Sequence, residues 1–205
     1  MAVTDLSVLG TNGTAFFGVA TEGTWAQFRA LTEIKNLSID GTSYEIVSNK
    51  LGTNVYEYDQ SAFQFDVSSI TNATSATFEI NCTSTTGTPT ARLVEGACTL
   101  PWTEANGLNQ VDFGSPLSNQ TSLALGINQI LLNANGLSYI NSSTTAQIYL
   151  LENRMMSDAT APSGDNRAAF NDLGLTLKVT TPDATSGMVN ITVGAVKIVN
   201  GKVSL

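Results

Sequence analysis

The stretch SAFQFDVSSI puts Phe63, Phe65 and Val67 on one side of an extended chain and Gln64 and Asp66 on the other. Successive side chains of a strand point to opposite faces, so this two-residue alternation predicts a strand with one face buried. The pattern recurs. SATFEINCT carries Ala76, Phe78 and Ile80 inward, and SYEIVSN alternates Tyr44 and Ile46 with Glu45 and Val47. ARLVEG, NQILLNANGL, AQIYLLEN and LGLTLKVTT complete the series, separated by Asn-Gly, Thr-Gly, Ser-Gly-Asp and Thr-Pro turn signals. Many short strands at regular spacing predict an all-β fold, a jelly-roll-like antiparallel β-sandwich. The 27 Thr, set against only 9 Lys plus Arg, favour pleated, half-buried surfaces over helix faces.

The two ends read differently from the middle. Residues 1–40 are expected to form an N-terminal arm with a short helix: TWAQFRALTEI brings Trp25, Phe28 and Leu31 or Thr32 to one face. That segment would lie over the domain's own sheet or over a neighbouring subunit. The sandwich is assigned to residues 41–181, and a linker with a C-terminal β-hairpin to 182–205. In VKIVNGKVSL, Asn200-Gly201 supplies a type I′ turn, so Val199 faces Lys202, Ile198 faces Val203 and Val196 faces Leu205. So small a ribbon buries little alone and should dock. Trp25, Phe28, Val196, Ile198, Val203 and Leu205 are therefore the interface candidates.

The chain has no His, which removes the commonest general base and the commonest transition-metal ligand. With two Cys in addition, no zinc site is expected and no cofactor is assigned. A net charge of −8 argues against a grip on nucleic-acid phosphate. No run of 18 apolar residues predicts a membrane span. The opening MAVTDLSVLG lacks the basic and apolar regions of a secretory signal, which suits a chain kept inside a cell until assembly. Cys82 and Cys98 lie on neighbouring strand segments; they are either two half-buried thiols or a disulfide closing a modest loop. Seven Asn-x-Ser/Thr sequons matter only if the chain passes through a eukaryotic secretory path.

Few residues offer chemistry. Glu57 and Asp59, two apart, share a strand face and are the one carboxylate pair to test as acid and base. Asp158, Asp165 and Asp172 fall in MMSDATAPSGDNRAAFND, either a calcium-holding loop or a solvated turn region. Arg154 and Arg167 flank it and suggest local ion pairs. Ser nucleophiles lack both a His base and a Gly-x-Ser-x-Gly elbow, so no enzyme is expected. Trp25, Trp102, Tyr56, Tyr58 and Tyr139 are candidates for stacking on sugars, although residues of this kind more often serve as core or interface; Tyr56 and Tyr58 make the best pair because they share a face.

AFQFDVSSITNATSATFEI resembles the opening of the DNRLRE domain, a jelly-roll family whose first strand ends in Phe-Asp before a Ser-Ser-Ile turn and a strand beginning Ser-Ala-Thr. ARLVEGA with Pro101-Trp102-Thr103-Glu104, then NQILLNANGLSYI, AQIYLLEN and FNDLGLTLKVTT, are similar to later family strands in order, so the resemblance spans about residues 42–181. Ala105-Asn106-Gly107 and Thr181 depart from the family's Asn-Asn and closing Tyr. The resemblance implies a non-catalytic module of surface, cell-wall and appendage proteins, with no catalytic residue to carry over.

These readings lead to two expectations. The first is a structural virion protein, a bacteriophage capsid decoration (cement) protein. It would be made in the host cytoplasm, form a trimer with copies of itself, and bind a major capsid protein through its terminal segments. The second is an extracellular or fibre-borne module that binds glycans or cell surfaces.

Overall fold

The computed structural model describes residues 1–10, 13–29, 36–39, 43–96, 102–103, 111–112, 115–155, 161–183, 197–199 and 202–204. Its strands are β1 (Ala2–Ser7), β2 (Thr14–Glu22), β3 (Asn36–Ile39), β4 (Ser43–Gly52), β5 (Val55–Asp66), β6 (Ser75–Thr86), β7 (Thr90–Gly96), β8 (Val111–Asp112), β9 (Thr121–Ser122), β10 (Gly126–Leu131), β11 (Thr145–Glu152), β12 (Asn166–Thr181), β13 (Lys197–Val199) and β14 (Lys202–Ser204). Helix α1 (Trp25–Arg29) follows β2, and α2 (Ala134–Ser142) follows β10. Every strand pairing is antiparallel, and β1 to β12 belong to one hydrogen-bonded network. This is the all-β, sandwich-like fold that the alternation predicts.

Two long strands let one network make two layers, because each changes partner along its length. The first half of β5 pairs with β4, from Gly52↔Val55 to Val47↔Asp59, and the second half pairs with β11, from Gln60↔Leu151 to Asp66↔Thr145. Likewise β12 pairs first with β4, then with β1. A bulge in β12 between Asn171 and Thr176 resets its register on β6. Consecutive strands β5 and β6 then face each other across the core: the Phe63 and Phe78 rings lie 5.4 Å apart and Phe65 meets Phe78 edge-on at 6.1 Å. Ile80, Leu93, Ile130, Ile148, Leu150, Phe170 and Leu177 fill the same interior.

The described parts of residues 1–40 do not stand apart as an arm. Strand β1 pairs with β12 over Ala2↔Thr181 to Ser7↔Thr176, and β2 runs along β5 from Thr14↔Phe63 to Glu22↔Val55. The cause lies in β5, whose even-numbered side chains include Tyr56, Tyr58 and Ala62. These make a second apolar face, which the N-terminal segment covers. Trp25 and Phe28 of α1 stack at 5.5 Å and close over Tyr56 at 5.2 and 5.9 Å. Burial of this kind contributes roughly 1.5–3 kcal/mol for a large apolar side chain. Because β5 is covered on both faces, Gln60, Ser61 and Gln64 are buried beside its aromatics, although the alternation predicts an exposed Gln64. The Tyr58 hydroxyl donates to Gln60 Oε1 at 2.8 Å, and Ser61 Oγ donates to the Glu45 carbonyl at 2.9 Å.

NQILLNANGLSYI is not one strand. It is β10 followed by α2, and Asn133 makes the change. Its side chain caps the helix by accepting from Gly136 N at 3.1 Å and donates to the Pro116 carbonyl at 2.9 Å. Gly136 here is a packing residue, since a Cβ would strike the Leu117 carbonyl. Ile140 enters the core, and Asn141 ties α2 to both backbone groups of Ala73 at 2.7 and 3.2 Å.

The C-terminal strands β13 and β14 form their own two-stranded sheet with the predicted pairs Ile198↔Val203 and Val199↔Lys202. Val196 and Leu205, the other interface candidates there, lie outside the described residues. Among the described residues, no helix is long and apolar enough to cross a membrane.

Candidate functional site

The aromatic residues proposed for ligand stacking or contact with a neighbour are mostly turned inward. Tyr56 is 5% exposed and Tyr58 0%, so neither presents an open ring face to a sugar. Trp25 and Phe28 are 8% and 1% exposed, having settled on the chain's own sheet rather than remaining available as an interface. Trp102 is buried edge-on against Tyr149 at 5.9 Å. In each case the reason is the second apolar face of β5, β11 and β7, which needs these rings as cover. Only Tyr139, of the five, remains half-exposed.

Charged chemistry gathers instead around Arg167, where β12, β4 and β5 run side by side. The register places Arg167 opposite Val47 and Val47 opposite Asp59, which brings Glu45, Glu57 and Asp59 around the guanidinium. Arg167 donates to Glu45 Oε2 and to Glu57 Oε2, each at 2.9 Å, and its Nε lies 3.6 Å from Asp165 Oδ2. Asn49 Nδ2 adds a bond to Glu57 Oε2 at 3.2 Å. The expected pair Glu57 and Asp59 does share this face, and the expected local pairing of Arg167 is present. Glu45, far away in sequence, completes the group.

Asp59 is the unusual member. Burial, together with the neighbouring Glu45 and Glu57 carboxylates, pushes its pKa up to about 8 against the opposing pull of Arg167. Its surroundings thus favour the neutral carboxyl, which can donate to the Glu45 carboxylate. Asp59 and Glu45 meet across the β4–β5 contact, the first buried and the second paired with arginine. The cation in their midst is the guanidinium, and among the described residues no set of acidic or Cys side chains is arranged to hold a metal ion.

A second acid was not singled out from the sequence. Glu152, at the end of β11, is wholly buried and accepts from Ser48 Oγ at 2.8 Å, Thr90 N at 3.2 Å and Thr90 Oγ1 at 3.0 Å. Arg154 closes the cage through its backbone N at 2.9 Å and its guanidinium at 2.7 Å. Arg154 thus makes a local ion pair with Glu152. Of the expected acidic loop, Asp158 lies outside the described residues, Asp165 belongs to the Arg167 group, and Asp172 lies on β12. Cys82 is a buried free thiol whose Sγ lies 3.2 Å from the Ser84 carbonyl, and burial raises its pKa; Cys98 lies outside the described residues.

The remaining notable surface is the outer face of β10. Asn128 and Ile130 point inward, so Ile127, Gln129 and Leu131 point out. Leu125, Ile127 and Leu131 are 68%, 68% and 61% exposed. Between them Gln129 donates to Glu79 at 2.5 Å, and Lys178 pairs with the other oxygen of Glu79 at 2.7 Å. The result is a row of bare aliphatic side chains around a neutralised polar centre, with no signal in the sequence beyond the alternation of GINQIL. No known family model matches the chain, and no curated protein is significantly similar to it.

Proposed function

We propose that this protein is a structural component of a bacteriophage virion, a decoration protein that stabilises the head by non-covalent contacts with copies of itself and with the major capsid protein. The observation that carries this reading is Leu125, Ile127 and Leu131, three large aliphatic side chains left in water on β10 and just before it. Contiguous exposed apolar side chains mark surfaces that meet another macromolecule. The Glu79–Lys178 pair beside them lowers the electrostatic cost of bringing a second acidic chain to this face. A DNRLRE-like strand order, a known companion of surface and appendage proteins, fits the same role and rests on the strand motifs quoted above. Decoration of this kind adds interface energy across a shell without any reaction.

The test is co-sedimentation with empty shells assembled from the virus's major capsid protein. Bound protein that raises the shells' melting temperature, with binding lost in Ile127→Asp/Leu131→Asp, supports the reading. A folded protein that stays in the supernatant at every ratio contradicts it.

A further inference from the structure

Strand β10 bonds to β6 along one side, and among the described residues no other strand pairs with it. One hydrogen bond fixes where its remaining backbone groups point. Leu132 N donates to the Ala76 carbonyl at 2.9 Å, which extends the register Leu131↔Thr77 by one step. Antiparallel partners exchange bonds at every second residue, so Ile130↔Phe78 and Asn128↔Ile80 are the bonded pairs. The N–H and C=O groups of Ile127, Gln129 and Leu131 therefore point away from β6. Asn133, of the same parity, agrees: its N donates outward to the Leu117 carbonyl at 2.8 Å. The bridge Ser118↔Leu132 meets this outer side only at the end of β10, beyond Ile127 and Gln129.

Open sheet edges ordinarily carry a charge, a proline or a bulge that keeps other strands away. GINQIL has none of these, and its register on β6 is unbroken from Gly126↔Cys82 to Leu131↔Thr77. By contrast, β1 carries the exposed Asp5, and β8 and β9 are two residues long.

We propose that β10 of one copy pairs with β10 of a second, antiparallel about a two-fold axis at Asn128, so that one sheet runs through a dimer. The inference rests on the reading that copies meet through β10 and deepens it by naming the contact. Outward-pointing backbone groups call for an extended strand as partner. Charge selects a second copy. A two-fold contact sets each strand against itself, and like charges placed opposite each other repel. A chain of net charge −8 thus meets itself best along a neutral line, and GINQIL is neutral, with the adjoining Glu79 paired to Lys178 at 2.7 Å. In this register Ile127 exchanges both backbone bonds with Gln129 of the second copy, as the outward parity of both requires. The two Ile127 side chains then lie diagonally across the axis, and Leu125 of each copy approaches Leu131 of the other.

The experiment is residue-resolved amide hydrogen exchange on the intact chain, with the mass of each sample read by light scattering. The expected mass is two chains. In that dimer the Ile127 and Gln129 amides should exchange roughly tenfold or more slower than in dilute single chains, while Asn128 and Ile130 stay slow in both. Gln129→Pro removes an outward N–H and no bond to β6, so it should leave a folded single chain. Gln129→Ala, which loses the same side-chain contact with Glu79, should remain a dimer. A trimer, a dimer whose Ile127 and Gln129 amides exchange freely, or a dimer that survives Gln129→Pro would overturn the strand pairing and leave assembly through the exposed side chains standing. Slow Ile127 and Gln129 amides in single chains would place the chain's own segment on the edge and overturn it too. A single-chain mass at every concentration would overturn the pairing together with the reading beneath it.

Discussion

Asp59 on β5 is buried beside Glu45 on β4, whose carboxylate accepts from Arg167 at 2.9 Å. Ionising Asp59 would add a buried negative charge beside Glu45 and Glu57, which already share one guanidinium, so the contact between β4, β5 and β12 depends on pH in a definite direction. The folded pKa of Asp59, about 8, lies above the value near 3.8 of an unperturbed Asp. The folded state therefore holds a proton that the unfolded chain releases. The stabilising effect is complete below about pH 4 and is lost progressively as pH rises to and through 8. The melting temperature of the wild type should fall across that window, and Asp59→Asn should flatten the fall. At roughly 2–4 °C per kcal/mol for a chain of this size, the variant should gain several degrees at pH 8.5 relative to pH 5. Parallel profiles for the two proteins would show that Asp59 does not carry the effect.

Glu152 satisfies five donors from β4, β7 and the 3-10 turn Asn153–Met155 that follows β11, while wholly buried. Glu152→Ala should cost about 3 kcal/mol, since the buried donors of Ser48 and Thr90 lose their acceptor. Arg154→Ala should cost less, because Arg154 is 27% exposed and water can replace part of its role at the rim. Urea unfolding of both variants reads the difference.

Gly136 inverts the ordinary helix rule. Replacing a mid-helix glycine by alanine usually stabilises by up to about 1 kcal/mol. Here the added Cβ would meet the Leu117 carbonyl and the Leu132 side chain, so Gly136→Ala should lower the midpoint of urea unfolding. A rise would mean that Leu117 yields freely.

Trp25 separates internal cover from an interface. Trp25→Ala removes a ring stacked on Phe28 and Tyr56 and should destabilise by about 3–5 kcal/mol without altering the oligomeric mass. A variant of unchanged stability and reduced mass would restore the interface role.

The parts of the fold legible from sequence are those set by local periodicity. The alternation around Phe63, Phe65 and Phe78 marks inward faces correctly, and the Asn200-Gly201 rule yields the Ile198↔Val203 pairing. What escaped depends on distant partners. Tyr56 and Tyr58 share a face that alternation leaves without a named cover, and that cover comes from distant residues, among them Trp25 and Phe28 of α1. NQILLNANGL reads as one strand, yet Asn133 caps a helix that starts at Ala134. The pair Glu57 and Asp59 is visible as neighbours on a strand, but Glu45 and Arg167 reach it only through the registers of β4 and β12. The exposed row on β10 follows from the alternation of GINQIL once the inward face is known.

The central claim is that this chain acts by assembling through its exposed β10 face. The most direct measurement is absolute mass by light scattering over a dilution series, for the wild type and for Ile127→Asp/Leu131→Asp. The account predicts a mass at a small multiple of 21.6 kDa that falls to the single-chain value in the variant. A wild-type mass of one chain at every concentration, or an oligomer that the double substitution leaves intact, would contradict it.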